Sequence, residues 1–230
     1  MEKISFIGAY DKTDLIIYIA KILTLMNKKV LIIDASINQK AKYVVPVIKA
    51  SRTYITEFEN IDVAVGFKNI KDIKNYLAID DDLNYDYILF DIDSEESYKN
   101  YEIDDSDKKY FVTSFDLYSL KKGIEILASI NNEITLTKVY FSKNYLKEED
   151  EYVNFLSNDY QIKWNKDIIY FPFEMGDQTV IFENQRVSKI KFKKLTKQYK
   201  DGLMYIAEDI LNGENVMNLN KVFKQLEKGI

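Results

Sequence analysis

The sequence contains no cysteine and no histidine. Their absence excludes disulfide frameworks, thiolate zinc sites, cysteine nucleophiles and Ser-His-Asp triads. Carboxylates, lysines, hydroxyls and backbone amides are therefore the groups left to carry any chemistry. Only two prolines and seven glycines occur among the 230 residues, so the sequence has no Pro-rich or Gly-rich linker.

Long apolar runs are also missing. No run approaches the roughly 18 residues of a transmembrane helix, and the first residues have a strand pattern rather than that of a signal peptide. We therefore expect a cytoplasmic protein, with a peripheral position at the inner face of the membrane as an alternative. The net charge of −5 argues against wholesale nucleic-acid binding, and 47% hydrophobic residues are ample for a core.

Apolar runs of strand length alternate with helical patterns along the chain. Strands are predicted at Ile4–Ile7 and Val30–Asp34, and helices at Thr13–Asn27 and from about Leu195 to Leu211. Further strands are predicted in "TYITEF", "IDVAVGF", "YDYILFDID", "KYFVTS", "LTKVYFS" and "KDIIYFPF", and further helices in "IKDIKNYL" and "SLKKGIEILASI". Continuous apolar strands that alternate with helices indicate an α/β fold, a mainly parallel sheet with helices on both faces.

Ligands of such sheets bind at the carboxyl ends of the strands. The sequence places several polar or small residues at predicted strand ends: Gly8, Asp34, Asp91, Ser114 and Ser142. Three acidic clusters lie between predicted elements, and we interpret them as solvated loops and helix starts rather than as a metal site: Asp80–Asp82, Asp104–Asp107 and Glu148–Glu151.

The stretch "ISFIGAYDKTDLIIYIAK" begins like a phosphate-binding loop, with an apolar strand, a glycine, Lys-Thr and then a helix. The motif Gly-x-x-x-x-Gly-Lys-[Ser/Thr] is incomplete, because Phe6 and Asp11 stand at the two glycine positions. An alternative interpretation of Lys12-Thr13 is simply the first turn of a helix. For the two strand-end aspartates, the alternative is the capping of neighbouring loops.

Four segments, in order, resemble the ParA/MinD family of deviant-Walker P-loop ATPases (SIMIBI class), over about Ile4 to Leu211. They are "IAKILTLMNKKVLIIDAS", similar to the first helix and second strand, "YDYILFDID", similar to the Walker B strand, "YFVTSFDLYSLKKGIEIL" and "IIYFPF". The resemblance implies a P-loop NTPase fold. It also implies a vestigial nucleotide site at Gly8, Lys12, Thr13, Asp34 and Asp91, with Thr13 and Asp91 holding the metal if Mg-nucleotide binds.

The sequence departs from the family at several of its functional positions. The family loop Lys-Gly-Gly-Val-Gly-Lys-Thr-Thr covers residues 7–14, where Ile7 replaces the signature lysine that reaches the partner's nucleotide across the dimer. Asp11 replaces a glycine, and Asp14 replaces the second threonine. Ser36 stands where the family has an aspartate associated with water activation. Ser142 stands at the position of the adenine-side asparagine.

Phosphates are bound by a ring of backbone N–H groups, which glycines allow to curl. Asp11 adds a side chain and a like charge beside the polyphosphate. We predict that Asp11 or Asp14 accepts hydrogen bonds from amides at the start of the first helix and so occupies the phosphate position. The sequence thus predicts a degenerate site with no catalytic residue and no cofactor or metal. Weak binding of ATP with magnesium is the alternative.

The favoured function is that of a non-catalytic ParA/MinD-like pseudo-ATPase, a positioning or assembly factor for a secretion, pilus or conjugation-type machine. TadZ-type members of the family also have altered Walker A loops and localise such machinery, an analogy that rests on loop degeneracy. One alternative is a slow ATPase with nucleotide-dependent dimerisation in plasmid or cargo segregation. Another is a nucleic-acid-binding accessory protein. Since family members dimerise across the nucleotide, exposed Ile7 and Tyr10 would make a homodimer apolar and nucleotide-independent.

The segment "RVSKIKFKKLTKQYK", residues 186–200, has seven basic residues and no acid, with Phe192 and Tyr199 interleaved. Such a segment can follow a phosphate backbone or meet an acidic protein partner. We favour a solvated basic face whose apolar residues pack inward. The candidate partner-binding residues here are Arg186, Lys189, Lys191, Lys193 and Lys194.

A break at Asn212-Gly213 divides a P-loop domain, residues 1–212, from an amphipathic C-terminal helix, residues 213–230. MinD proteins end in a similar membrane-targeting helix, but one short helix with few cations binds a bilayer only marginally. We expect its apolar face to be buried against the same chain or a protein partner. That face comprises Leu219, Val222, Phe223, Leu226 and Ile230, of which Leu219, Phe223 and Leu226 are the candidate partner-binding residues.

Overall fold

A computed structural model describes residues 1–47, 51–142, 147–213 and 216–228. Its strands are β1 (Glu2–Ile7), β2 (Val30–Asp34), β3 (Tyr54–Phe58), β4 (Ile61–Val65), β5 (Tyr87–Ile92), β6 (Lys108–Ser114), β7 (Ile134–Phe141) and β8 (Ile162–Phe171). Its α-helices are α1 (Thr13–Leu25), α2 (Ala41–Val44), α3 (Ile70–Leu77), α4 (Glu95–Asn100), α5 (Leu117–Ala128), α6 (Lys147–Ser157), α7 (Met175–Val187), α8 (Lys197–Ile210) and α9 (Val216–Lys228).

The eight strands form one sheet in the order β3-β4-β2-β5-β1-β6-β7-β8. Neighbours are parallel except for the β3–β4 pair, which is an antiparallel hairpin. β1 lies between β5 and β6, with Ile7 opposite both Ile92 and Phe111. The predicted α/β fold, a mainly parallel sheet with helices on both faces, is confirmed.

Two hydrophobic cores lie on opposite faces of this sheet. Successive side chains of a strand point to opposite faces, so Phe6 enters the core shared with α1, α8 and α9, while Ile7 enters the core shared with α5. Both side chains are fully buried. Strands covered on both faces are apolar without alternation, which explains why the runs of β1, β2 and β5 were visible in the sequence.

Some element boundaries differ from the sequence prediction. α1 ends at Leu25 rather than at Asn27, which has a left-handed φ of 60°. α8 starts at Lys197 rather than at Leu195, because the Thr196 side chain accepts a hydrogen bond from the amide of Tyr199 and caps the helix. The sequence analysis did not predict α7. Few of its residues are buried, so its apolar pattern is weak.

The apolar face of α9 is buried against α1 and α8. Burial against the same chain was one of the two expected outcomes. The partner-binding role predicted for Leu219, Phe223 and Leu226 therefore needs correction, because these side chains are at most 7% exposed and lie in the protein's own core. Ile230 lies outside the described residues. None of the described helices has the length and apolar character needed to cross a membrane.

Phe223→Ala should lower the free energy of unfolding by about 3–5 kcal/mol, because it removes a buried aromatic ring and leaves a cavity between helices. Met217→Ala is the matched control: Met217 lies on the same helix but is 79% exposed, and its replacement should change stability by less than about 0.5 kcal/mol. Urea denaturation measures both. Equal midpoints for the two variants would contradict the docking of α9.

Candidate functional site: a modified phosphate loop

The loop between β1 and α1 lies at the carboxyl edge of the sheet, where the strand order predicts a ligand site. Gly8 begins the loop with φ at +145°, a conformation that other residues rarely adopt. A Cβ at Gly8 would lie 2.1 Å from the carbonyl oxygen of Val112 on β6. Glycine is therefore required here by the neighbouring strand, whether or not a phosphate binds.

Three of the predicted site residues meet in one buried cluster. Lys12 Nζ lies 2.7 Å from Asp91 Oδ1 and donates a 2.8 Å hydrogen bond to the carbonyl oxygen of Gly8. Thr13 Oγ1 donates a 2.9 Å hydrogen bond to Asp91 Oδ2. Lys12 and Asp91 are each 2% exposed. Both oxygens of the Walker-B-like aspartate thus bind side chains of the loop, and the lysine charge is neutralised inside the protein.

Asp34 is the fifth predicted site residue of the sheet edge, and it binds its own loop. It accepts hydrogen bonds from Ser36 Oγ at 2.6 Å, from the Ser36 amide at 3.1 Å and from the Ala41 amide at 2.8 Å. Burial, with the nearby charge of Asp91, raises the pKa of Asp34 to about 6. These contacts fit the alternative interpretation of Asp34 as a cap of the loop and of α2. The hydroxyl of Ser36 is engaged in the same contact, as the donor to Asp34.

Of the two extra carboxylates of the loop, Asp11 has the predicted kind of partner and Asp14 does not. Asp11 Oδ1 accepts a hydrogen bond of 3.3 Å from the Thr13 amide, as one of the two predicted alternatives requires. Asp14 instead binds side chains: Lys40 Nζ lies 2.5 Å from Asp14 Oδ2 and 2.6 Å from Asp11 Oδ2. Gln185 of α7 donates to both oxygens of Asp14, at 2.9 and 3.1 Å. Lys40 therefore forms ion pairs with both extra carboxylates, Asp11 and Asp14.

The sequence analysis missed Lys40, which lies just before α2. Burial opposes its charge, but the carboxylates of Asp14 and Asp11 outweigh burial and raise the pKa of the Lys40 ammonium. The sequence contained only an indirect signal for this lysine. Two carboxylates close together in one loop repel each other, so a cation is expected near them. Nothing in the spacing showed that the cation would be 26 residues away from Asp14.

A cavity of about 430 Å³ opens beside the loop. Its size lies within the range of small-molecule sites, roughly 300–1,000 Å³, and the Thr13 hydroxyl and Asp91 carboxylate are oxygen groups of the kind that bind Mg²⁺. Its charges fit a phosphate less well, because Asp11, Asp91 and Asp93 line it together with Lys12 and Lys40. Among the described residues, no group of three or more acids could hold a metal by itself.

The expected exposure of Ile7 was wrong. Its side chain is fully buried because it is the last residue of β1 and points into the core beneath α5. Tyr10 is half-buried, and its ring stacks on Phe141 at a centroid distance of 4.7 Å. Burial, together with Asp11 and Asp116, raises the pKa of Tyr10 to about 12. An exposed apolar dimer face cannot include Ile7.

The other two predicted strand-end residues have structural contacts. The Ser114 hydroxyl donates to Asp116, which caps α5 by accepting a 2.9 Å hydrogen bond from the Ser119 amide. The amide of Ser142 donates a 3.0 Å hydrogen bond to the carbonyl oxygen of Phe171, which joins the ends of β7 and β8.

The basic segment, residues 186–200, spans the end of α7 and the start of α8. Six of its seven cationic side chains are exposed, and Lys200 is the exception. Three of the seven form ion pairs: Lys189 with Glu59 at 3.4 Å, Lys194 with Glu183 at 3.2 Å and Lys200 with Glu227 at 3.5 Å. Phe192 and Tyr199 are each 2% exposed and pack on other aromatic rings, so they cannot stack on bases. The inward packing of the apolar residues agrees with the favoured interpretation, and the role of the cationic face stays a prediction.

Several solved structures have the same fold over most of the chain. The chain matches the MinC:MinD cell division protein complex of Aquifex aeolicus with a TM-score of 0.59 and 16% identity, over 94% of this chain and 97% of that chain. It matches a ParA family ATPase of Chlorobium tepidum with a TM-score of 0.58 and 13% identity, over 90% and 97%. The chain has the MinD/ParA fold.

A third match is the Cyanothece McdA complex with ATP, with a TM-score of 0.56 and 12% identity, over 92% of this chain and 96% of that chain. No family model matches the sequence, and no curated protein matches it. At these identities the likeness concerns the fold alone. What the altered loop does must therefore be argued from its own contacts.

Asp14→Ala should lower the free energy of unfolding by about 1–3 kcal/mol, because it removes a partly buried charged acceptor from Lys40 and Gln185. Asp11→Ala is the matched control: Asp11 binds the same lysine but is 54% exposed at its side chain, and exposed ion pairs contribute about 0–1 kcal/mol. Denaturation midpoints that shift equally in the two variants would show that Asp14 has no special part in the loop.

Proposed function

We propose that this MinD/ParA-fold protein does not turn over ATP and acts as a positioning or assembly factor. The observation that carries the proposal is the occupation of the loop by its own charges. Lys12 is neutralised by Asp91, and Lys40 is neutralised by Asp11 and Asp14. The lysines of the loop that binds phosphate in P-loop ATPases are thereby paired with carboxylates of the same chain, without a ligand.

The charges near the loop oppose a polyphosphate. Two like charges about 4 Å apart cost on the order of 1 kcal/mol in water and several times more in a protein-like dielectric. Asp11 would face the phosphates directly, and its lysine partner is shared with Asp14. For phosphate to bind Lys12, this lysine must first leave Asp91, and the loss of a partner from a buried ion pair costs about 3–5 kcal/mol.

Groups that would assist hydrolysis are also altered. The position of the family's signature lysine holds Ile7, which is buried in the core. Ser36 takes the position of an aspartate associated with water activation, and its hydroxyl donates to Asp34. Neither residue can polarise a water or stabilise charge on a transferring phosphoryl group. The absence of these groups supports a non-catalytic role over a catalytic one.

The second candidate function is that of a slow ATPase in plasmid or cargo segregation. The contact that favours it is the 2.9 Å hydrogen bond from Thr13 to Asp91, since this hydroxyl and carboxylate are the pair that would hold Mg²⁺ beside a nucleotide. Bound Mg²⁺ would supply charge neutralisation to the phosphates. Asp91 would then exchange Lys12 for the metal, and Lys12 would turn towards the phosphates.

The biological part of the proposal rests on the fold and on the proteins that share it. These include a cell division protein and a ParA family ATPase. A chain that retains the fold and loses turnover would act through binding alone, with a protein partner. A secretion, pilus or conjugation-type machine is the setting we favour.

The wild-type protein should show no magnesium-dependent ATP turnover above background and no heat of binding with ATP or ADP in calorimetric titration. Lys12→Ala serves as the negative control for any signal. Turnover or binding that Lys12→Ala abolishes would replace the proposal with the slow-ATPase function.

A matched variant tests whether charge is the cause. Asp11→Gly restores the family glycine and removes the like charge, so it should make Mg-ATP binding detectable by calorimetry where the wild-type protein shows none, a gain in affinity of about tenfold or more, or roughly 1.4 kcal/mol. Asp82→Gly removes an acid from an exposed loop elsewhere and should leave affinity unchanged. Equal behaviour of the two variants would show that loop charge does not exclude the nucleotide.

A fluorescent fusion in the cells that encode the protein tests the positioning role. The fusion should concentrate at discrete sites, and Lys12→Ala should not disperse it, because no nucleotide cycle drives the localisation. An even distribution of the wild-type fusion would contradict the role. Dispersal by Lys12→Ala, with the protein still folded, would favour a nucleotide-dependent mechanism.

A further inference from the structure

A cavity of about 260 Å³ lies in the basic segment, beside the end of α7. Val180 and Val187 form its apolar wall, and the cations at its rim are Arg186, Lys191, Lys193 and Lys194. Glu183 pairs with Lys194 at 3.2 Å and leaves the other rim cations in excess. The combination fits a partner that offers an apolar side chain flanked by carboxylates.

The same chain carries that combination on α6. Glu148, Glu151, Tyr152 and Phe155 are all exposed, and their spacing places them on one helical face. Phe155 is 74% exposed and stacks with Tyr152 at a centroid distance of 6.5 Å. Aromatic residues are enriched at protein interfaces.

The contacts that α6 makes with the rest of the protein determine that the face with Phe155 points to the surface. Val153 is fully buried in the core beneath α5, and Lys138 of β7 binds Asp150 at 2.6 Å. These contacts fix the rotation of the helix about its axis. The face with Phe155 must then point away from the sheet.

The two surfaces cannot meet within one molecule. Val180 of α7 packs into the core on one face of the sheet, and Val153 of α6 packs into the core on the other face. A contact between α6 and the cavity must therefore join two molecules. Because the two surfaces differ, such a contact is heterologous, and it repeats head to tail into a ring or an open chain.

We propose that a second copy of this chain docks the Phe155 face of α6 at the basic cavity. Phe155 enters between the valines, and Glu148 and Glu151 face the rim cations. Glu151 exchanges its exposed ion pair with Lys147, 3.2 Å long, for the rim. The contact needs no nucleotide, so it stands whether or not ATP binds at the phosphate loop.

Sedimentation velocity at about 100 µM protein and low salt should show association, since a contact with a Kd near that value is then substantially populated. At about 1 M salt, where the Debye length is about 3 Å, association should weaken markedly. A monomer at low salt would overturn the proposal, as would an association that high salt leaves unchanged.

Substitutions at exposed positions locate the contact without disturbing the cores. Phe155→Ser, Lys191→Glu with Lys193→Glu, and Glu148→Lys with Glu151→Lys should each weaken association by about tenfold or more, a change of roughly 1.4 kcal/mol. Tyr118→Ser is the control, because Tyr118 is 72% exposed on α5 and lies in neither surface. Weakening by Tyr118→Ser, or none by Phe155→Ser, would overturn the assignment.

Mixing the two charge variants provides the sharpest test. Each variant keeps one intact surface, so a heterologous contact predicts that the mixture associates although each variant alone is monomeric. A mixture that stays monomeric would overturn the proposal. So would a monomeric wild-type protein whose basic surface instead binds DNA and loses that binding with Lys191→Glu and Lys193→Glu, because nucleic acid would then be the partner.

Discussion

The carboxylate of Asp91 holds the centre of the molecule together. It receives Lys12 on one oxygen and Thr13 on the other, so the end of β5 is tied to the first turn of α1. Because β1 lies beside β5, this tie closes the turn between β1 and α1. Lys12 and Asp91 are each 2% exposed, and each depends on the other because an unpaired charge there would be costly.

A second set of charges surrounds that centre. Lys40 joins Asp11 to Asp14, and Gln185 brings α7 onto the same carboxylate. The carboxylates of Asp11 and Asp14 are therefore bound by side chains from α7 and from the segment before α2.

The sequence predicted what depends on local pattern. The central strands and α1 were visible, because buried parallel strands are continuously apolar and the helix has a clear period. Lys40 was not visible, because its pairing with Asp14 joins residues distant in sequence. The burial of Ile7 was missed for a similar reason. The family resemblance placed Ile7 at the position of an exposed lysine, but only the strand register shows towards which face of the sheet its side chain points. Asp11 or Asp14 was predicted to accept a hydrogen bond from an amide at the start of α1, and Asp11 accepts one from the Thr13 amide.

The packing of α9 against α1 has a consequence for how the chain is made. The helix that carries the phosphate loop is synthesised among the first elements, but one of its sides stays uncovered until α9 has left the ribosome. Contacts between segments so far apart in sequence form late, because the loop that joins them must close first. The central strands of a nascent chain are therefore available for pairing long before α1, which follows the loop, has all of its packing partners.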